Sequence, residues 1–485
     1  MQTIREFTLR YAGLSFYWAW VFLSFNSLDI VGGSGRAISL VHMASSASAM
    51  VMFAACALGW RAVAGWSAGR VRAVLLACGA AGAAATFLYA SPLFAGSVEA
   101  MGAGAVVTGF ACTPIVLAWG VTYGDLDARR AVLFTSMTFF GAALLYGAVS
   151  LLGAASASIA VSLFPLAAAA TAAASLRGWR AERRPDAGGE PARTEIRELV
   201  RTALSWRVLA GLIAALFAFG GLRVYFGDIA PDVFSNPALM AGTIALAALI
   251  FFVYGAFVSR SSLNLGVLYR IAMSVWALAF VLIAVVGHDN ATMVFFMATL
   301  SSVLFEVLTW ALLVEIARTT HFSAVLVFAM GRLAVHVGIV AGELTAFALI
   351  GDLVLFAVVA VFVLVISAGF TFADRDTTFA FESPTPSELK RLAGSRPAAD
   401  ALPSKELVPD EADLAARIDA LAALYQLSPR EKEVFALWVT GHGSKYIQER
   451  FVISPATVKT HVRHIYEKCD VHNRAELMRK LEDAR

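Results

Sequence analysis

Residues whose types and spacing suggest chemistry fall in two places. Near the C-terminus, Lys459, Thr460 and Arg463 stand at i, i+1 and i+4 of a segment with helical periodicity, so one face presents two cations and a hydroxyl with a methyl group. Cations suit guanine N7 and O6 or a phosphate, and a methyl suits thymine, which is what a helix in the major groove must offer. Within a long apolar stretch, Arg332, His336 and Glu343 are spaced by four and seven and share one helical face. Glu306 and Arg223 lie in other apolar stretches, and Asp29 and His42 add to them in the first half of the chain. An ionisable residue in lipid costs about 2.5 to 3.5 kcal/mol on insertion scales and marks an interior or functional position. The expectation is a polar pocket or charge network between helix groups. Arg332 and Glu306 suit mutual neutralisation, and Arg223 and Arg332 equally suit a carboxylate or other anionic ligand. Trp310, Tyr225 and Phe110 fit packing better than aromatic lining.

No catalytic constellation accompanies these residues. Cys56, Cys78 and Cys112 lie in apolar stretches and Cys469 near the C-terminus, and no two are spaced as a metal or redox pair, which points to free thiols in a reducing compartment. There is no phosphate-cradling glycine loop before a lysine and no nucleophile with a placed base, so the expectation is a non-enzyme with no metal and no cofactor.

The elements that position these residues follow from composition. Of 485 residues 59% are hydrophobic and 15% charged, outside the range of ordinary soluble proteins. A net charge of +3 says little about partners, whereas its distribution says more. Apolar stretches of about 20 residues, enough to cross a hydrocarbon core of about 30 Å, recur near 11–31, 38–59, 71–90, 98–121, 131–153, 155–176, 207–227, 237–258, 266–287, 291–316, 322–350 and 353–373. Helix is required, because lipid offers backbone groups no partner and the stretches lack the alternation of barrel strands. The first run is followed by Asn26 and Asp29 rather than a small-residue cleavage site, and is expected to be a retained span.

Basic residues alternate between loops: Arg61, Arg70 and Arg72, then Arg129 and Arg130, then segment 177–205, then Arg260 and Arg270, then Arg318, against essentially Arg36 on the other side. The positive-inside rule therefore puts both termini in the cytoplasm of a multi-pass protein of the cytoplasmic (inner) membrane. The charged loop 177–205 separates two groups of six spans, a pattern of pseudo-repeats within a membrane domain at 1–373. Beyond it, 374–409 has linker composition, and 410–427 carries Leu414, Ile418, Leu421 and Leu424/Tyr425 at helical spacing, an amphipathic lead-in that either packs on the terminal domain or pairs with a second copy.

The domain at 428–485 shows two unambiguous helix starts. Ser428, Pro429 and Glu431 form a capping box with proline at the first helical position, followed by apolar Val434, Leu437 and Trp438. Gly441 and Gly443 end that helix, and Lys445 to Phe451 read as a short second one. Ser454 and Pro455 repeat the start before Ala456 to Lys468, where Val458, Val462, Ile465 and Tyr466 make the buried stripe. A fourth helix carries Leu477, Met478 and Leu481.

This tail closely resembles the LuxR-type helix-turn-helix domain, through LSPRE with Glu433 and Val434, Gly441, Ile447, and above all ISPATVKTHV with Ile465, Tyr466, Lys468 and Val471. The resemblance implies a four-helix DNA-binding fold, base contacts from Lys459, Thr460 and Arg463, phosphate contacts near Thr457 and His461, and a dimer contact through the fourth helix. Gly443, Tyr446 and Gln448 depart from the family pattern, all in the second helix. The membrane part, with twelve spans, cytoplasmic termini and a long basic central loop, resembles the major facilitator superfamily. That family's motif after the second span is matched at Gly69 and Arg70, while its acidic residue is missing from GWRAVAGWSAGRVR.

The expected fold is all-α: a 6+6 transmembrane bundle with a helix-turn-helix domain. The expected function is a one-component transcription regulator that senses a small molecule or a membrane condition and binds promoter DNA, with homodimerisation through the tail as a further expectation. No receiver domain precedes the tail, so the switch must lie in the membrane part or a partner. The alternative is a transporter whose tail regulates its expression; an anchor alone would need one span, not twelve.

Overall fold

The computed structural model describes residues 9–31, 34–94, 96–176, 192–258, 263–286, 290–320, 322–349, 352–370, 378–379, 411–439, 447, 450–451, 455–471, 476–477 and 480–481. They belong to two compact units, Met1–Thr385 and Pro386–Arg485.

In the first unit the apolar runs close their backbone hydrogen bonds within helices, as a lipid environment demands. These are α1 (Leu14–Asn26), α2 (Gly35–Ala64), α3 (Ala68–Ala90), α4 (Val98–Tyr123), α5 (Ala128–Ser150), α6 (Ala154–Ser175), α7 (Trp206–Ile229), α8 (Pro237–Val253), α9 (Leu265–Val286), α10 (Ala291–Thr319), α11 (Ala324–Ala348) and α12 (Leu353–Phe370). Among the described residues ten helices, α2 to α11, are long and apolar enough to cross a membrane, and Val354–Gly369 within α12 is a shorter apolar helix. Short polar residues set many of the starts: Ser34, Ser67, Ser97, Asp127, Ser205, Asn236 and Ser323 each accept a backbone N–H of the first turn.

Two expected spans differ from single helices. The span expected at 11–31 is split into Leu9–Ala12, α1 and Leu28–Val31. Its break after Asn26 has a local cause: Arg223 of α7 donates to the terminal carbonyl of Phe25 at 2.6 Å and to Asn26 Oδ1 at 2.7 Å, while the Asn26 amide turns back to Phe22 O. Helix-end carbonyls need such partners, and Ser27 then turns extended at φ −131°. The span expected at 237–258 leaves α-geometry at Tyr254 and continues as a π-turn to Val258. The guanidinium of Arg129 donates to Gly255 O at 2.9 Å and Ala256 O at 3.1 Å there.

Helices of the first six pack on those of the last six chiefly as α2 against α11 and α7, and α5 against α8 and α10. Small residues allow the closest approach. A Cβ on Gly35 would overlap the carbonyl of Gly227, and one on Gly342 would overlap that of Phe217. Leu263–Asn264 pairs antiparallel with Thr378–Phe379, so part of the segment expected as free linker is tied by backbone hydrogen bonds to the loop before α9. The remainder of 374–409 and most of 177–205 lie outside the described residues; within the latter, Ala192–Thr202 is helical and its Glu195 accepts from Arg61 of α2 at 2.7 Å.

The second unit holds α13 (Glu411–Leu424), α14 (Pro429–Val439) and α15 (Pro455–Lys468). Val434, Phe435, Val439, Val458, Ile465, Leu477 and Leu481 are buried in its own core. The lead-in helix α13 joins that core through Ile418 and Leu421, with Tyr425 partly buried, whereas Leu424 is 70% exposed. Packing on the domain is thus the arrangement found for the lead-in. Of the expected second helix, Ile447, Arg450 and Phe451 are helical and the rest, with Gly441, Gly443, Tyr446 and Gln448, lies outside the described residues; so does Met478 of the fourth.

Candidate functional site

The terminal domain positions α15 by an interlocked set of contacts. The capping box forms as its spacing predicts: Glu431 N donates to Ser428 Oγ at 3.3 Å, and Ser428 N to Glu431 Oε2 at 2.8 Å. Glu431 also receives Lys468 Nζ from the end of α15 at 2.7 Å, with His464 Nδ1 3.7 Å away. Burial alone would raise the Glu431 pKa; the Lys468 ammonium and the Ser428 hydrogen bonds outweigh it and hold the carboxyl down to about 2. Trp438 Nε1 donates to Tyr466 Oη at 3.0 Å, a second tie between α14 and α15. At its C-terminus α15 ends with Asp470 at φ 47° and Val471 N bonded to Tyr466 O. Lys480 Nζ caps the Cys469 carbonyl at 2.6 Å, placing a cation at the negative end of the helix.

With Val458 and Ile465 fixed inward, the opposite face of α15 is turned to solvent. Thr460 and Arg463 are exposed there, and Thr457 and His461 are half-buried at its margins. The Arg463 side chain is 66% exposed and stands 3.6 Å from Glu467, one turn along the same face. Lys459 lies on α15 by its backbone; its side chain lies outside the described residues. Glu467 was not singled out by sequence reasoning, although its i+4 spacing from Arg463 was the available signal.

The second site is a cavity of about 120 Å³ between the two groups of six helices. Its wall mixes aromatic residues, Trp18, Phe53, Phe139 and Phe219 among them, with hydroxyl residues such as Ser45 and Thr108, and Arg223, Arg332, Glu306, His42 and His336 supply the charged and imidazole groups. The face shared by Arg332, His336 and Glu343 in sequence serves two separate clusters. Arg332 pairs with Glu306 of α10, which also accepts from Trp310 Nε1 at 3.0 Å. Glu343 reaches the other way, accepting from His42 Nδ1 at 2.6 Å and facing Arg223 Nε at 3.5 Å. His336 bonds through Nδ1 to the carbonyl of Arg332 at 2.9 Å and packs on Phe53.

Of the remaining candidates, Asp29 has a side chain outside the described ones, Trp310 and Tyr225 are buried in packing, and Phe110 is 40% exposed. Asn26 and Trp18 were not recognised in sequence: Asn26 received no partner because its partner is 197 positions away, and a tryptophan in an apolar run carries no polar signal. Among the described residues no group of His, Cys, Asp or Glu could hold a metal ion.

Contacts join the helix groups toward both ends of the helices. At one end stand His42–Glu343, Arg223–Asn26 and the Gly35–Gly227 approach. At the other, Tyr123 of α4 packs edge-on to Trp310 of α10 at 5.5 Å, Trp310 meets Phe328 of α11 at 5.1 Å, and a Cβ on Gly120 would overlap the Phe328 ring.

A helical unit with membrane-spanning helices and a polar cavity between two helix groups, on one chain with a compact helical tail, defines a polytopic membrane protein with a small helical domain. Comparison with known proteins makes this specific: residues 425–481 match the family model described as bacterial regulatory proteins, luxR family, and form a LuxR-type helix-turn-helix domain. The chain is similar in fold to the human organic anion transporter MFSD10 (TETRAN), with 14% identity, a TM-score of 0.55, and 76% of this chain and 99% of that one covered. It is also similar to a bacterial homologue of the iron transporter ferroportin in its outward-facing state, with 14% identity, a TM-score of 0.50, and 77% and 98% covered. At these identities the likeness shows a major-facilitator-like fold and nothing of substrate. No curated relative matches the chain. It is a multi-pass membrane protein carrying a DNA-binding domain.

Proposed function

We propose that this protein is a one-component transcription regulator of the cytoplasmic membrane, in which twelve spans sense a small molecule and the tail reads promoter DNA. The observation that carries the reading is the presence on one chain of a LuxR-type domain with Arg463 exposed on α15 and of a polar cavity between two helix groups. The basic loop residues named above support cytoplasmic termini, and α1 and α12 complete a 6+6 count. Base contacts by Lys459, Thr460 and Arg463, phosphate contacts by Thr457 and His461, and tail dimerisation belong to the same reading. The ligand acts by binding two arrangements of the helix groups with different affinity, since equal affinity would shift nothing. Arg223, Arg332, His336, Glu343 and Glu306 form the wall and the inter-group contacts through which it does so.

The test is transcript profiling of cells carrying the full chain or a chain ending at Leu427. Loss of regulation with membrane insertion retained is expected; regulation surviving the truncation would overturn the reading. A second reading, a transporter with a regulatory tail, is favoured by one observation, the transporter-like fold. Substrate accumulation in vesicles separates the two: flux through the wild-type chain that is lost on Arg332→Ala or Glu343→Ala, with the variant still folded in the vesicle, favours the transporter, and a changed transcript profile without flux favours the sensor.

A further inference from the structure

Three charged groups line the cavity, Arg223, Arg332 and Glu306, and the buried Glu343 stands behind Arg223. Arg332 pairs with Glu306, and Arg223 faces Glu343, so with the imidazoles of His42 and His336 uncharged the formal charges sum to zero. The arginines that in sequence suited an anion are thus occupied by carboxylates. An added carboxylate or ammonium would enter the cavity without a counter-charge left to pair with it, which is unfavourable.

Hydrogen-bond donors, by contrast, are left over. Trp18 Nε1 and Arg332 Nε are buried, belong to residues lining the cavity, and have no hydrogen-bond partner among the described residues. A buried donor without an acceptor is costly, and an incoming oxygen would satisfy it. The two side chains are neighbours, the Arg332 guanidinium lying 5.8 Å from the Trp18 ring centre. Trp18 also stacks on Phe139 at 4.8 Å, giving a flat apolar surface beside these donors. At about 120 Å³ the cavity is smaller than one of about 150 Å³ that takes benzene, so its occupant carries no more than one ring.

We infer that the cavity takes an uncharged, single-ring aromatic compound bearing an acceptor oxygen, held by Trp18 Nε1 and Arg332 Nε beside the aromatic residues of the wall. This deepens the sensor reading and rests on it for its regulatory meaning, but the binding itself does not require DNA. The test uses the purified full-length chain in lipid nanodiscs, with tryptophan fluorescence and the thermal midpoint as readouts and four probes of one ring each. Acetophenone is neutral with an acceptor, ethylbenzene neutral without one, benzoate anionic and benzylammonium cationic.

The expected result is saturable binding of acetophenone, tighter than each of the other three by about tenfold, the size of one buried hydrogen bond. Trp18→Phe keeps a ring and removes the donor; it should erase most of the acetophenone preference over ethylbenzene, a ratio that a general loss of packing would not change. Tighter binding of benzoate or benzylammonium, equal binding of acetophenone and ethylbenzene, or no saturable binding of any probe would each overturn the inference on the wild-type chain alone. Failure of fragment 410–485 to select DNA would instead strike the regulator reading and leave this one standing.

Discussion

The most direct consequence of the α15 geometry concerns Arg463. Its side chain is 66% exposed and stands 3.6 Å from Glu467 on the same helix, an exposed i,i+4 pair worth about 0.3 to 0.5 kcal/mol. Replacing Arg463 by Ala should therefore leave the fold of fragment 410–485 within about 0.5 kcal/mol of wild type, because the core residues Val458 and Ile465 are on the opposite face. Loss of a bidentate base contact, in contrast, costs about 1 to 3 kcal/mol, a factor of roughly 5 to 150 in affinity. One cation fewer should also lower the slope of log affinity against log salt by about 0.9. The assay is fluorescence anisotropy with a duplex that the wild-type fragment itself selects from a random library, repeated over a salt series. Glu467→Gln should act in the other direction, tightening binding by about twofold as Arg463 loses its competitor. Unchanged affinity and salt slope in Arg463→Ala, with an unaltered melting curve, would refute the placement of this residue in a DNA groove.

Further outcomes follow from other contacts. Glu431, with its folded pKa at about 2 against about 4.3 in an unfolded chain, contributes stability that is fully present above the higher value and is lost as pH falls through the lower one. Acid unfolding of the tail followed by circular dichroism should lose that pH dependence in Glu431→Gln, and an unchanged acid midpoint would contradict the Lys468 and Ser428 contacts. Lys480→Met removes the cap on the Cys469 carbonyl and should lower tail stability by about 0.5 to 1 kcal/mol in urea, an effect that vanishes if the cap is absent in solution. Gly35→Ala forces α2 from α7 at Gly227 and should destabilise the full chain in detergent by about 1 to 3 kcal/mol; a neutral result would rule out this close approach. Glu343→Ala leaves His42 and Arg223 without their shared buried carboxylate and should cost about 3 to 5 kcal/mol by the same measurement, an unshifted midpoint arguing against that cluster.

What sequence could show depended on the range of the interactions. The start of α14 was legible because Ser428, Pro429 and Glu431 act within one turn, and the inward stripe of α15 because periodicity alone fixes it. Helical spans were legible from hydropathy, since lipid permits little else. The break in α1 was hidden: it is made by Arg223 on α7, nearly two hundred positions away, and nothing near Asn26 reports its presence. Glu343 was visible as an anomaly but not its partner, because His42 lies 301 positions earlier. Helical spacing put Arg332 and Glu343 on one face and suggested a common task; the structure divides them between opposite neighbours, which spacing on a single helix cannot express.

The burial of Ile418 and Leu421 gives the tether an unusual point of attachment. The polypeptide arriving from the bilayer enters the DNA-reading domain through its hydrophobic interior rather than ending on its surface. A pull at position 411 would load the same apolar core to which Val434 and Ile465 belong.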